Sequence, residues 1–115
     1  VFRKVAVDPA RISVAGVSVG ATYGLSIGRI NGDLFRRVVA FSPGYIADGY
    51  PNGTPKFFVT HGTADPILDI NYASRRLVPL LRSQHYDVEY HEFPGGHSIP
   101  ADLFRTATLW LAAAD

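Results

Sequence analysis

Ile12-Ser13-Val14-Ala15-Gly16-Val17-Ser18-Val19-Gly20 (ISVAGVSVG, residues 12–20) runs from a short apolar segment into a serine with a glycine two places to either side. Residues 11–15 form a β-branched run closed by Gly16, which reads as a strand. Residues 18–30 follow as a helix, with Asn31-Gly32 as its stop. A serine in G-x-S-x-G, placed between a strand and a helix, sits on a sharp turn that strains its backbone and projects its hydroxyl above the sheet. Side chains at 16 and 20 would collide with the neighbouring strand and helix, and glycine relieves that. Gly20, Gly24 and Gly28 are four apart, on one face of the helix, and let it pack close to the sheet. Short motifs recur by chance, so the motif alone also admits glycines kept for packing with Ser18 incidental.

The remaining chain repeats the alternation. Val38-Val39-Ala40-Phe41 is a continuous apolar run, as in a strand covered on both faces of a parallel sheet. A loop rich in Gly and Pro occupies 42–55, and 56–60 reads as a second buried strand. A helix is expected over 70–84, with Leu77, Leu80 and Leu81 on one face and a kink at Pro79. The more polar 87–93 reads as an edge strand. Pro100 opens a last helix, in which Leu103, Ala107, Trp110 and Leu111 share a face. Four strands separated mainly by helices give an α/β fold: one domain over residues 1–115, with a parallel sheet of about four strands and flanking helices. In such sheets chemistry gathers at the carboxyl ends of the strands.

Three chemistry-bearing residues fall at those ends. Ser18 follows the first strand. Asp65, in Thr60-His61-Gly62-Thr63-Ala64-Asp65-Pro66, follows the third. His97, in Phe93-Pro94-Gly95-Gly96-His97-Ser98, follows the fourth. A carboxylate just past a strand end can orient an imidazole and stabilise its charged form. The imidazole can then take a proton from the serine hydroxyl and return it to a leaving group. The backbone N–H of Val19, at the helix start, is one donor for a developing oxyanion. Tyr45, Ile67 and Leu68 lie on loops beside these strand ends and are candidates to line an apolar substrate site. Asp65-Pro66 is also ordinary turn chemistry, Asp69 sits where a helix cap is expected, and His85 and His91 read as surface histidines.

Composition removes several other functions. The 115-residue chain has a formal net charge of +1 and scattered basic residues, which gives no footprint for nucleic acid. Arg36-Arg37 and Arg75-Arg76 read as solvated surface. With 47% apolar and 18% charged residues, the composition is globular rather than disordered. There is no cysteine, which excludes disulfides, thiolate catalysis and cysteine–zinc sites. No residue between Arg11 and Arg29 is charged, and the glycine spacing there mimics a transmembrane packing motif. That stretch has 17 residues, several of them hydroxylated, and falls short of a span. The glycines do not fit G-x-G-x-x-G and no P-loop lysine follows, so nucleotide binding is not expected. His61, Asp65 and His97 make a poor ligand pattern, so no metal is expected.

GVSVG, FVTHGTADPILDI and FPGGHSIP together resemble the C-terminal part of the phospholipase/carboxylesterase, acyl-protein-thioesterase-like branch of the α/β-hydrolases. The resemblance runs from DPARISVAG to the final helix, and the order Ser18, Asp65, His97 is that superfamily's triad order. It implies a nucleophile at Ser18, an acid at Asp65 and a base at His97, acting on small-molecule carboxylic esters and, in some members, thioesters, without metal or organic cofactor. Position 19 is often polar in the branch and is valine here. The strands and oxyanion loop that precede the elbow in the branch have no counterpart before Arg11. VFRKVAVDP is then at most the end of the preceding helix. The first strand is left as an exposed edge, open to pairing or to a missing N-terminal segment. A truncated, catalytically inactive hydrolase-like module is the alternative to an active esterase. The chain lacks an initiating methionine, which suggests a fragment, and VFRKVAVD is too charged for a signal peptide, which favours the cytoplasm.

Overall fold

The computed structural model describes residues 2–8, 11–30, 36–45 and 53–113. Its elements are β1 (Phe2–Asp8), β2 (Arg11–Val17), α1 (Val19–Ile30), β3 (Arg37–Phe41), β4 (Lys56–Gly62), α2 (Ser74–Ser83), β5 (Val88–Phe93) and α3 (Ala101–Ala112). They build a five-stranded sheet in the order β1-β2-β3-β4-β5. Strands β2 to β5 are parallel to one another, in agreement with the α/β reading of the sequence. The stop at Asn31-Gly32 and the loop segment 46–52 lie outside the described residues.

The N-terminal stretch departs from expectation. Phe2–Asp8 is a strand rather than a helix end, and it pairs antiparallel with β2 in a register that brings Asp8 opposite Arg11. The physical reason is the open flank of β2. Its backbone donors and acceptors need partners, and the nearest chain able to fold back is the segment immediately before it. The expected bare edge at β2 is therefore covered, and β1 becomes the edge.

The period-two alternation of the central strands sorts the core into two layers. Val38 and Ala40 of β3 and Phe57 and Val59 of β4 face α1 and α2, where Ala21, Leu25, Leu77, Val78 and Leu81 close the layer. Val39, Phe41 and Phe58 face the other way, onto Ala107, Trp110 and Leu111 of α3. Burying a large apolar side chain contributes about 1.5–3 kcal/mol, so these layers anchor the strand ends that carry the site. Helix α2 is shorter than expected because residues 70–73 form turns instead, with Asp69 Oδ1 accepting from Asn71 N at 2.9 Å. Asp69 thus closes a turn rather than capping the helix. The helix runs through Pro79, which sits on its exposed side. Leu80 is exposed, and the buried stripe is Ser74, Leu77, Val78 and Leu81. Arg37 is also not surface: it is buried, with its guanidinium 4.7 Å above the Trp110 ring and Nη1 donating to the Trp110 carbonyl. Among the described residues, no helix is long and apolar enough to cross a membrane.

Candidate active site

Ser18 is the single residue between the end of β2 and the start of α1. Its φ is 57°, in the left-handed region that a residue with a side chain adopts only under constraint. Two backbone bonds supply that constraint: Ser18 N donates to Phe41 O of β3 at 2.8 Å, and Thr22 N donates to Ser18 O at 3.0 Å. A Cβ on Gly16 would stand 2.3 Å from Gly20 O, so the turn closes only with glycine there. At Gly28 a Cβ would meet Val38 Cγ2 at 2.5 Å, which brings α1 hard against β3. The first amides of a helix have no intrahelical acceptor, and Val19 N–H is the first of α1.

Asp65 and His97 meet. His97 Nδ1 lies 2.6 Å from Asp65 Oδ2, with the carboxylate side chain fully buried and the imidazole partly exposed. The other carboxylate oxygen, Oδ1, accepts from Ile67 N at 2.8 Å and Leu68 N at 2.9 Å. Burial pushes the Asp65 carboxyl up. The bond from His97 and the backbone bonds from Leu68 and Ile67 outweigh it and hold the group below its ordinary value. The two loops are braced together. Thr63 N donates to Phe93 O and Ala64 N to Gly95 O, and a Cβ on Gly62 would strike Gly96 O at 2.3 Å. Among the described residues no hydrogen bond reaches Ser18 Oγ. The arrangement therefore holds an ionised acid on an imidazole, at the same strand-end edge of the sheet as a strained serine.

The three candidate pocket residues separate. Leu68 is partly buried and approaches Gly44, and Ile67 is exposed. Tyr45 is exposed and lines a groove of about 380 Å³ with Gly44, Tyr72, Arg76, Leu77 and Leu80. Among the described residues, no group of three His, Asp or Glu side chains is arranged to hold a metal ion.

Three supporting residues were not singled out for these roles by the sequence. Thr22 Oγ1, on the first turns of α1, accepts from Gly44 N at 2.8 Å and ties the loop after β3 to the serine turn. His61 is fully buried, and Ser74 bonds its ring at 2.6 Å. The His-Gly pair at a strand end was the available signal for His61. Ser74 and Thr22 carry none, because hydroxyl residues in helices are common.

The sequence profile of the phospholipase/carboxylesterase family matches residues 3–114, and the chain belongs to that family. Among solved structures it is similar to esterase PE8, at 27% identity and a TM-score of 0.76, over 85% of this chain and 47% of that one. It is also similar to the Bacillus cereus carboxylesterase, at 24% identity and a TM-score of 0.73, over 85% of this chain and 47% of that one. A phospholipase/carboxylesterase from Dyadobacter fermentans aligns at 24% identity and a TM-score of 0.72, over 86% and 51%. No curated protein matches the chain. The chain spans about half the length of these solved structures.

Proposed function

We propose that the chain carries the nucleophile, acid and base of a serine hydrolase acting on small-molecule carboxylic esters, with thioesters as a second substrate class. The observation that supports this most is the 2.6 Å bond between His97 Nδ1 and buried Asp65, since it directs the opposite ring nitrogen, Nε2, to proton transfer. In the proposed reaction Ser18 Oγ attacks the carbonyl carbon while His97 Nε2 takes its proton. The carbonyl oxygen becomes an oxyanion, and the Val19 N–H donates to it. The tetrahedral adduct collapses, the C–O bond breaks, and His97 returns the proton to the departing alcohol. Water, activated by the same imidazole, then releases the acid from Ser18. Tyr45 and Leu68 are assigned to the substrate side, with Ile67 at its rim.

A second reading is an inactive hydrolase-like module that retains the acid–base pair without engaging the serine; among the described residues no hydrogen bond reaches Ser18 Oγ. Catalytic hydrogen bonds often tighten only when substrate binds, so the two readings part on reactivity rather than on resting geometry. Intact-mass analysis after incubation with a fluorophosphonate decides between them. One adduct, lost in Ser18→Ala and in His97→Ala, supports the esterase. No adduct on a folded wild-type protein supports the inactive module.

A further inference from the structure

The acid of the site is held by more than its own turn. His61, the penultimate residue of β4, points to the α2 side of the sheet and is fully buried. Its Nε2 lies 2.7 Å from Leu68 O and 3.4 Å from Asp65 Oδ2, and its Nδ1 lies 2.6 Å from Ser74 Oγ. A carbonyl only accepts, so Nε2 must carry a proton. The tautomer that satisfies both ends then leaves Nδ1 to accept from the Ser74 hydroxyl. One imidazole thus spans from the first residue of α2 to the far end of the turn whose near end is Asp65.

We propose that His61 is a positioning residue for the Asp65–His97 pair, with Ser74 fixing its tautomer. The proposal rests on the esterase reading for its function, but not for its geometry. By holding Leu68 O, the Nε2–H fixes the loop whose Ile67 and Leu68 amides occupy Asp65 Oδ1, and this leaves Oδ2 aimed at His97. The same Nε2 lies 3.4 Å from Oδ2. A further charged neighbour is Glu92, the cross-strand partner of His61 on β5, and its carboxylate is engaged by Arg75. Glu92 is therefore already satisfied and does not compete for the His61 proton.

The test is nuclear magnetic resonance of the isotopically labelled protein, which needs no turnover. The Asp65 carboxyl is titrated and the His97 Nδ1–H resonance is followed in wild type, His61→Gln, His61→Leu and Ser74→Ala. Wild type is expected to show a downfield Nδ1–H signal and an Asp65 midpoint below the ordinary value. His61→Leu removes the donor. It should lose that signal and raise the midpoint, because burial then acts on a carboxylate with fewer bonds. His61→Gln keeps a donor near Nε2 and should retain both. Ser74→Ala should move both in the direction of His61→Leu, by less. Fluorophosphonate labelling of Ser18 should slow about 10²-fold in His61→Leu, the scale of an ångström-sized misplacement. A folded His61→Leu protein with the wild-type signal and midpoint would overturn the proposal. Should that variant not fold, wild-type behaviour of Ser74→Ala overturns it instead. An unreactive Ser18 in wild type, with the signal still lost in His61→Leu, sinks the esterase reading and leaves the positioning role standing.

Discussion

The two regions that supply the candidate residues, the end of β2 and the adjoining ends of β4 and β5, are built by different means. At the end of β2, Ser18 is fixed by backbone alone: a left-handed φ, one bond to β3, and a closed contact at Gly16. At the ends of β4 and β5, side chains act together with the backbone: amides occupy one oxygen of Asp65, His97 engages the other, and a buried imidazole lies behind the loop. On the proposed reading, the difference follows from what each group would do. A nucleophile has to present a free oxygen, so its restraint must come from the chain that carries it. An acid that orients an imidazole must be buried and ionised together, and a buried carboxylate is tolerable only when its lone pairs are occupied.

The largest expected effects separate the two ends by chemistry. Ser18→Ala should lower kcat/KM for an activated ester by on the order of 10⁴ or more and abolish the phosphonate adduct, without disturbing the His97 Nδ1–H signal. Asp65→Asn should lower kcat by about 10⁴. The amide oxygen can still accept from Ile67 and Leu68, so the thermal midpoint should change little while the imidazole loses its anionic partner. A large loss of fold in Asp65→Asn would show that the two oxygens do not divide their work as described.

Next come the two glycines that allow each end to close. An added methyl at Gly16 or Gly62 meets backbone, not a movable side-chain tip, and each alanine should cost about 1–3 kcal/mol in thermal or chemical denaturation. Their local consequences should differ. Gly16→Ala should slow Ser18 labelling and spare the Asp65–His97 signal. Gly62→Ala pushes on the carbonyls of Gly95 and Gly96 and should weaken that signal. If both variants affect both readouts equally, the two ends are one cooperative unit rather than two separately built ones.

Much of this was legible in the residues. The turn at Ser18, the parallel order of β2 to β5 and the strand-end placement of Asp65 and His97 all follow from local signals: β-branched runs, glycine spacing, and a proline at a helix start. What escaped was set by tertiary context. Phe2–Asp8 became a strand because β2 offered an open flank, and no pattern within those residues specifies that partner. Arg37 was buried because Trp110, 73 residues away, supplied a ring and a carbonyl. His61 read only as part of a poor metal-ligand pattern, and its buried bond exists because α2 brings Ser74 against it. Leu80 follows the helical period but lies at the margin of the stripe, where Leu77 and Leu81 already fill the space.

The smallest effect concerns the outer surface of the acid–base end, where Arg75, Glu92 and Tyr90 form a partly exposed cluster. Arg75 donates to both oxygens of Glu92, at 2.8 and 2.9 Å, and the Tyr90 hydroxyl donates at 2.8 Å. The bonds from Arg75 outweigh the upward push of burial, and with that from Tyr90 they hold the Glu92 carboxyl at about 2, against an ordinary 4.5. A carboxyl held low in the folded state contributes stability that is complete above its unfolded value and is lost as pH falls through the folded one. Between pH 4.5 and about 2 the wild type should therefore lose thermal stability faster than Glu92→Gln, and the two curves should converge at the acid end. Near neutral pH the variant should be only slightly the less stable, because exposed ion pairs are screened and contribute little. The comparison also locates the cluster. His61 lies across the strand from Glu92, so a change in the Asp65 midpoint in Glu92→Gln would mean that the surface pair reaches the site through β4. An unmoved midpoint would confine the site's electrostatics to the buried groups around Asp65.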